Sequence, residues 1–293
     1  MPVHDDLGRR MKEYYEQVPK TKLMRRTPVI IRIDGKAFHS FTKGFKRPFD
    51  DVLIESMQQT MKYLCENIQG CVLGYHQTDE ISLVLIDYQK LTSDAWFDYE
   101  VQKMCSIAAS MATMVFNKYF SDNVQDFGYD CCYDPYNDNI GDEVVSGREE
   151  DWNRYMNVYI KALDKGAMFD ARCFNIPKEE VTNYIYWRQL DATRNSIQMV
   201  GQANFSHKEL HGKSCNQIQD MLMTQKGINW NDFPIYQKRG SCCVKESYST
   251  VDLSTYTGSI EAITRTRWVI DKEIPIFKGE DRNYIDKLIF VGE

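Results

Sequence analysis

The sequence has few of the features that mark membrane, secreted or fibrous proteins. Only 8 of its 293 residues are proline and 16 are glycine, and no residue type dominates, which excludes collagenous and low-complexity chains. The longest mainly apolar runs, such as 28–31 and 81–86, fall far short of the roughly 20 residues that span a bilayer. The first residues, MPVHDDLGRR, have no apolar core of the kind found in secretory signals. We therefore expect a globular, cytoplasmic protein with no membrane partner.

The nine cysteines also lack the spacing of a disulfide framework or a zinc site. Their number is odd, they are spread along a long chain, and no CxxC pair occurs. The adjacent pairs at 131–132 and 242–243 are poor ligands for a tetrahedral zinc ion. We expect reduced thiols.

Charge is distributed unevenly along the chain. The net charge is −6, but residues 122–151 alone contain ten acids and one base, so the remainder carries about +3. Residues 20–47 contain nine bases, among them Arg32, Lys43, Lys46 and Arg47, and one acid, Asp34. A basic block around a single carboxylate suits a metal site that handles polyanions. A merely solvated basic face is the alternative.

Apolar spacing predicts the first elements of the chain. Residues 28–33 form a β-branched run, typical of a buried strand, that ends at Asp34-Gly35. Asp50 is a candidate N-cap for a helix that runs to about Asn67, because apolar residues recur there at steps of three and four. Residues 71–75 and 80–86 predict a hairpin whose turn holds 76–79.

The next elements complete a recognised order. Ser93 is expected to cap a long second helix with apolar residues from Phe97 to Val115, and residues 167–174 predict a fourth strand. The order βαββαβ indicates an α+β, ferredoxin-like fold in which two helices cover one face of a four-stranded sheet and the other face stays open. Because the acidic stretch 122–151 contains Gly128, Pro135 and Gly141, we expect an exposed insertion or hairpin there.

A third helix is expected after Pro177. It would place Tyr184, Arg188, Asp191, Asn195 and Met199 along one face. The polar residues in this stripe fit either substrate contact or a buried network that joins the helix to the sheet.

Two acids follow strands that neighbour each other in a ferredoxin-like sheet. Asp34 ends the first strand and Asp79 lies in the hairpin turn, so their carboxylates can converge. Carboxylate oxygens with positions left for water and phosphate suit Mg²⁺, and two ions could activate a hydroxyl and neutralise a triphosphate. Glu80 points to the opposite side of a regular strand, so we expect it to act as an indirect or water-mediated partner. Two ordinary polar turns are the alternative.

The residues after Asp34 offer a way to bind phosphate. Gly35-Lys36-Ala37-Phe38-His39 could present successive backbone amides to a triphosphate, although the Gly-Lys-Ser/Thr of a P-loop is missing. Lys43, Lys46 and Arg47 could follow the phosphates or be solvated.

Other reactive clusters are weaker. His207 and His211 lie one helical turn apart, but the glutamate between them is displaced from the zinc-protease order. The chain has no recognisable acyl-transfer signature, whether a Ser-His-Asp set, a GxSxG elbow or a catalytic cysteine.

Four segments resemble the successive motifs of the histidine-tRNA guanylyltransferase family. They are IRIDGKAFH (31–39), YHQTDEISL (75–83), FDAR (169–172) and YWRQLD (186–191). The resemblance spans about 5–240 in the right order and implies a polymerase-like palm at 5–176, which includes the acidic insertion, followed by a C-terminal helical region and tail at 177–293. It also implies addition of nucleotides to RNA 5′ ends in the 3′-to-5′ direction.

The family's functional residues transfer to matching positions. The resemblance implies that Asp34, Asp79 and their acidic neighbour Glu80 are the catalytic residues, and that Asp34, the Gly35 carbonyl and Asp79 bind two Mg²⁺ ions. It also implies that 34–39, Arg47, Thr78 and Asp79 bind a nucleotide. ATP or GTP would serve as the activating substrate, and Arg47 occupies the place of a basic residue implicated in 5′-end activation. The candidate RNA contacts are Arg32, Lys43, Lys46, Arg188 and Asn195. A homotetramer, a dimer of dimers, is the expected assembly.

One departure changes the expected reaction. Where the eukaryotic enzymes have His-Ile-Asn-Asn, this chain has Thr193-Arg-Asn-Ser196. The chain is therefore more similar to the bacterial and archaeal guanylyltransferase-like proteins, which prefer templated repair of 5′-truncated tRNA. Strict guanosine addition to histidine tRNA, a palm-fold nucleotidyl cyclase and a non-catalytic RNA-binding module are the alternatives.

Overall fold

The computed structural model describes residues 6–132, 142–253, 260–290 and 292. The strands are β1 (Val29–Gly35), β2 (Cys71–Gln77), β3 (Glu80–Leu85), β4 (Phe169–Asn175), β5 (Ser241–Leu253) and β6 (Ile260–Asp271). The helices are α1 (Asp6–Met11), α2 (Phe38–Phe41), α3 (Asp51–Asn67), α4 (Val101–Cys132), α5 (Asp142–Lys165), α6 (Val181–Asn204), α7 (His207–Leu210), α8 (Cys215–Met221), α9 (Ile235–Arg239) and α10 (Asn283–Asp286). Short turns of 3-10 or π helix occur at 12–16, 96–99, 178–180, 222–226, 230–232 and 279–282.

The strands form one antiparallel sheet in the order β4-β1-β3-β2-β5-β6. Its first four strands are those predicted from the sequence, and the hairpin of β2 and β3 is confirmed. The chain thus has a mixed α/β fold on a single sheet, which has six strands where four were expected.

The position of strand β1 between two cores explains why its sequence is continuously apolar. Ile31 and Ile33 lie in the core beneath α3 and α4, whereas Ile30 lies in a second core on the opposite face. Since neighbouring residues of a strand point to opposite faces, a strand covered on both sides needs apolar residues at consecutive positions.

Helix α3 begins as predicted. The Asp50 carboxylate caps it by accepting a hydrogen bond from Leu53 N at 3.0 Å, and Tyr159 Oη donates to the same carboxylate at 2.8 Å. The buried residues Met57, Met61 and Leu64 then face the sheet core at helical spacing.

The prediction that Ser93 caps the second helix is wrong. Ser93 Oγ accepts from Lys90 N at 3.1 Å, and α4 begins only at Val101. Phe97 and Asp98 between them have left-handed backbone conformations, which a continuous helix cannot contain. Val101 N donates to Thr21 O at 2.9 Å, so a contact with a distant segment sets the helix start.

The prediction of an exposed insertion or hairpin at 122–151 is also wrong in the part that the structure describes. Residues 122–132 continue α4 and 142–151 begin α5, while 133–141 lie outside the described residues. Gly128 is accommodated inside α4 because the two helices approach closely there. A Cβ at this position would lie 2.9 Å from the Met156 side chain.

The second face of the sheet is covered, where an open face was expected. Val181 and Ile185 of α6 and the C-terminal residues Ile274, Phe277 and Ile285 form the second core against it. The helix predicted after Pro177 is thereby confirmed as α6.

The C-terminal region is helical only in part. Strand β5 pairs with β2 from Ser241 to Cys243 and adds to the sheet edge. Beyond those residues β5 and β6 pair with each other as a long two-stranded arm. In the described ranges no helix is both long and apolar enough to cross a bilayer.

We expect the aromatic cluster between α2 and α4 to carry much of the stability. The Phe120 ring lies 5.3 Å from that of Phe41 and 5.7 Å from that of Phe116, and Phe120 is fully buried. Phe120→Ala should lower the free energy of unfolding by about 3–5 kcal/mol, since it removes a large side chain and leaves a cavity. Urea denaturation followed by circular dichroism measures this.

Met114→Ala, at an exposed position of the same helix, is the matched control and should change stability by less than about 0.5 kcal/mol. Equal losses in the two variants would contradict this assignment of the core.

Candidate active site

The candidate site is built where β1 ends between two other strands. Asp34 lies opposite Glu80 of β3 and Asp170 of β4 in the sheet register. Gly35 N donates to Asp79 O at 3.0 Å, which fixes the β2–β3 turn to the end of β1. The structure therefore brings Asp34 and Asp79 together, as predicted.

The turn itself is held by local hydrogen bonds. Thr78 has a left-handed φ of 49°, and its Oγ1 donates to Asp79 Oδ1 at 3.2 Å. The Thr78 carbonyl accepts from His76 Nε2 at 3.0 Å, so Nε2 carries the proton. Burial lowers the pKa of His76 to about 4, which keeps this ring neutral near pH 7.

The two aspartates oppose each other electrostatically. Burial raises the pKa of Asp79, and the neighbouring charge of Asp34 raises it further. Arg172 approaches Asp34 only loosely, since its Nη2 lies 3.9 Å from Asp34 Oδ2 and 3.0 Å from Asp170 Oδ1. A bound divalent cation would relieve the repulsion between Asp34 and Asp79.

The donor set fits Mg²⁺ in chemistry. In the described ranges no group of three Asp, Glu, His or Cys side chains is placed to hold an ion. Mg²⁺ commonly uses only one or two protein carboxylates and takes its other ligands from water and substrate phosphates. Two converging aspartates suit that arrangement.

Glu80 has a different role from Asp79. It is only 3% exposed, and Oε1 accepts from Arg188 Nε at 2.8 Å while Oε2 lies 2.5 Å from Arg32 Nη2. Both oxygens are thus held by arginines, so the structure corrects the prediction of Glu80 as a catalytic group and makes it a positioning residue. Burial raises the pKa of Glu80, and the two guanidinium groups oppose that effect.

Arg188 is the centre of this network. Its Nη2 donates to Asp191 Oδ2 at 2.7 Å, and Arg194 also pairs with Asp191. At 4% exposure, and with its guanidinium paired to Glu80 and Asp191, Arg188 presents little surface for the predicted RNA contact. The structure contains the buried network that joins the helix to the sheet, which was the alternative drawn from the sequence.

The remaining candidate RNA contacts differ in exposure. Lys43 and Lys46 are exposed, Asn195 is partly exposed, and the Arg32 side chain is about one-fifth exposed while it pairs with Glu80. Of these, the two lysines and Asn195 are accessible to a ligand.

Residues 35–39 offer fewer free amides than the sequence suggested. Gly35 N and Lys36 N are already used, the latter donating to Met168 O at 2.8 Å. Ala37 adopts a left-handed conformation and begins α2, and within the described residues no acceptor engages the amides of Ala37, Phe38 and His39. The Phe38 ring lies in the core. The ring also leaves no room for a side chain at Gly35, since a Cβ there would lie 2.2 Å from it.

A cavity of about 340 Å³ adjoins the turn. Its walls are largely apolar and include Phe49, Leu53, Ala192, Met199 and Tyr236, together with Thr78 and Asp79. This combination of apolar walls and a few polar groups is typical of a small-molecule site. Sequence reasoning missed these wall residues. Met199 lay on the predicted helix stripe, but no local signal marked Phe49 or Tyr236.

Arg47 does not line this cavity. It lines a neighbouring cavity together with Gln198, His207 and His211. Arg47 therefore lines a different cavity from Asp79.

Two converging carboxylates beside an apolar cavity of nucleoside size define a candidate nucleotide-handling enzyme. The family model for tRNAHis guanylyltransferase (Thg1) matches residues 8–177. A bacterial Thg1-like protein solved in complex with ATP is 40% identical, with a TM-score of 0.72, over 98% of this chain and 100% of that one. A GTP complex of a bacterial Thg1-like protein is 38% identical, with a TM-score of 0.69 and the same coverage.

A curated relative gives the same result. The tRNA(His) guanylyltransferase of Schizosaccharomyces pombe is 24% identical over 250 residues, which cover 80% of each chain. Because the family model covers more than half of the sequence, the chain belongs to the tRNAHis guanylyltransferase (Thg1) family. The expected resemblance is confirmed, and the protein is a nucleotidyltransferase.

The buried network makes a testable prediction. Arg188→Met leaves the Glu80 carboxylate short of a partner and should cost about 3–5 kcal/mol of unfolding free energy. Glu80→Gln in the Arg188→Met background should recover part of that loss, since the uncompensated buried charge is then absent. A double-mutant cycle measured by urea denaturation gives the coupling energy.

Arg194→Met is the control, because Arg194 pairs with the same Asp191 but its side chain is 59% exposed. It should cost less than about 1 kcal/mol. Additive effects of the Arg188 and Glu80 substitutions would contradict the network.

Proposed function

We propose that this protein adds nucleotides to the 5′ end of tRNA in the 3′-to-5′ direction and restores 5′-truncated tRNA against the opposite strand. The observation that carries the proposal is the convergence of Asp34 and Asp79 beside a nucleoside-sized cavity in a member of the Thg1 family. The ATP and GTP complexes of bacterial Thg1-like proteins support triphosphates as substrates here.

The metal would be Mg²⁺, held by Asp34, the Gly35 carbonyl and Asp79. Two such ions, when bound, would supply charge neutralisation on the triphosphate and promote loss of the proton from an attacking hydroxyl. Burial and, after it, the neighbouring charge of Asp34 raise the pKa of Asp79, which supports a cation at this position.

The nucleotide would lie between backbone amides and the cavity. The free amides of Ala37, Phe38 and His39 and the Thr78 hydroxyl can contact phosphate oxygens, and the exposed Lys36 lies beside them. Phe49, Leu53 and Tyr236 provide apolar contacts for a base or sugar.

The transfer step follows from these positions. The 3′-hydroxyl of the incoming nucleotide attacks the α-phosphorus of a 5′-triphosphorylated RNA, a new P–O bond forms, and pyrophosphate leaves. A 5′-monophosphate end is first activated, its phosphate oxygen attacking the α-phosphorus of ATP or GTP with loss of pyrophosphate. The same hydroxyl attack then releases the nucleoside monophosphate.

Templated repair is favoured over strict guanosine addition by the departure at 193–196. Ser196 is buried and accepts a hydrogen bond from Trp230 Nε1 at 3.0 Å, so it is committed to the fold. Of this run, only Asn195 matches the eukaryotic pattern and remains partly exposed.

The architecture and assembly are part of the proposal. The order β4-β1-β3-β2 with α3 and α4 on one face supports a ferredoxin-like palm at 5–176, which continues into a second part at 177–293 through the shared sheet. A homotetramer is supported by exposed apolar residues in the N-terminal segment, where α1 buries none of its residues. The seven free cysteines of the described residues agree with a cytoplasmic location.

Removal of either aspartate should abolish turnover without unfolding the protein. Asp34→Asn and Asp79→Asn should each lower kcat on the order of 10³-fold, because several kcal/mol of charge stabilisation are lost. Thermal stability should hold or rise at neutral pH, since each substitution removes a repulsive charge. Primer-extension mapping of 5′ ends and a thermal melt provide the two readouts.

Asp164→Asn is the control, since Asp164 is exposed on α5 and should keep wild-type rates. Normal turnover by Asp79→Asn would contradict the proposal that Asp79 binds the metal.

The choice of reaction is tested by reading the RNA end. The protein is incubated with Mg²⁺, all four NTPs and a 5′-triphosphorylated tRNA that lacks its first nucleotide. We expect restoration of the base dictated by the opposite strand, and loss of that product in Asp79→Asn. Guanosine added to full-length histidine tRNA, with no repair, would instead identify strict guanylyl transfer. Turnover of nucleotide without RNA would identify a cyclase.

A further inference from the structure

A second cavity, of about 450 Å³, adjoins the nucleotide cavity. The two cavities share helix α6, since Ser196 and Met199 line the first and Gln198 and Gln202 line the second. The loop before α3 also separates them, with Phe49 in the first and Arg47 in the second. The two cavities therefore lie at neighbouring positions along α6 and along the loop before α3.

The second cavity is lined by hydrogen-bond donors. Its polar residues are Arg47, Gln198, Gln202, His207 and His211. None of its lining residues is acidic, although the chain has 42 aspartates and glutamates. A neutral imidazole keeps one N–H donor and a guanidinium has five, so the wall can surround an anionic group.

Its key donors are uncommitted. Within the described residues, the side chains of Arg47, His207 and His211 form no hydrogen bond or ion pair, and the two imidazole centroids lie 6.0 Å apart. The nearest acid on α7, Glu209, is engaged elsewhere, because its Oε2 accepts from Ser206 N at 2.8 Å. That contact also caps α7 and fixes the start of the short helix that begins at His207 and ends just before His211.

The framework beneath the cavity is packed. Phe205 and Ile218 line it and also belong to a buried apolar cluster with Val200 and Leu222. The exposed donors thus lie over a packed apolar base.

We propose that this cavity is a phosphate subsite for the RNA strand, in which His207, His211 and Arg47 contact backbone phosphate oxygens next to the reacting 5′ end. The ligand class is an RNA phosphate, bound by N–H donors alone. A triphosphate is the second source of the same chemistry, but it normally travels with Mg²⁺, and this cavity has no carboxylate for that ion. The inference rests on the proposed function, since it places the reacting end at Asp34 and Asp79.

The test is RNA binding in the absence of nucleotide. Fluorescence anisotropy gives the Kd of labelled tRNA for wild type, for His207→Ala/His211→Ala, and for Lys208→Ala. Lys208 is the control, because it is exposed on the same helix but does not line the cavity. The double variant should bind RNA roughly tenfold more weakly with an unchanged slope of log K against log salt, since neutral N–H donors release no counterions from the RNA.

A second variant keeps the test informative if the first destabilises the helix. His207→Gln/His211→Gln retains N–H donors and should recover part of the RNA affinity, whereas a purely structural role for the imidazoles would show as a matching loss of thermal stability. In turnover assays the alanine variant should raise the KM for RNA and leave kcat unchanged.

Parallel titrations with ATP and GTP distinguish the two sources of phosphate. Unchanged nucleotide Kd values with weakened RNA binding support the subsite. Weakened nucleotide binding with unchanged RNA binding, or a loss equal to that of Lys208→Ala, would overturn it. A wild type that binds RNA but extends no 5′ end would remove the proposed function and the placement of the subsite beside a reacting end, whereas weaker RNA binding by the alanine variant would still support the phosphate contacts themselves. A wild type that binds no RNA would remove both.

Discussion

The antiparallel register between β1 and β3 is the constraint on which the rest of the site depends. It places Asp34 opposite Glu80, and the bond from Gly35 N to Asp79 O fixes the turn beside them. A slip of one residue would move Ile31 and Ile33 out of the main core, because alternate residues face opposite sides of the sheet. The packing of the core therefore also fixes the separation of the two aspartates.

Two acidic residues adjacent in sequence meet opposite electrostatic surroundings in this structure. Glu80 is buried between Arg188 and Arg32, so its charge is compensated by the protein. Asp79 is partly buried beside Asp34, and burial and that like charge both raise its pKa, so a bound cation would stabilise its charged form. The first arrangement stabilises the junction of α6 with the sheet, and the second provides a reason to bind a metal. The two arrangements differ because Asp79 lies in the turn and Glu80 begins β3, where neighbouring side chains point to opposite faces of the sheet.

Sequence patterns correctly predicted the elements that depend on interactions between residues close together in the chain. The strand at 28–33, the Asp50 cap and the hairpin at 71–86 depend on residue type and periodicity, and the structure confirms each. The errors arose from distant contacts. The start of α4 depends on Thr21, and Gly128 fits within a helix because Met156 lies close to it. No short-range signal could separate a paired Glu80 from a free one, since its partner Arg188 is 108 residues away.

Helix α6 connects these separate features because its residues point in several directions. Arg188 faces the sheet, Ala192 and Ser196 face the nucleotide cavity, and Gln198 faces the second cavity. With 3.6 residues per turn, one helix can address three surroundings within three turns. The run 193–196, where this chain departs from the eukaryotic enzymes, lies on that part of α6. A change there alters the surface that both cavities share, so in the proposed reaction the RNA end and the nucleotide would be bound against the same helix.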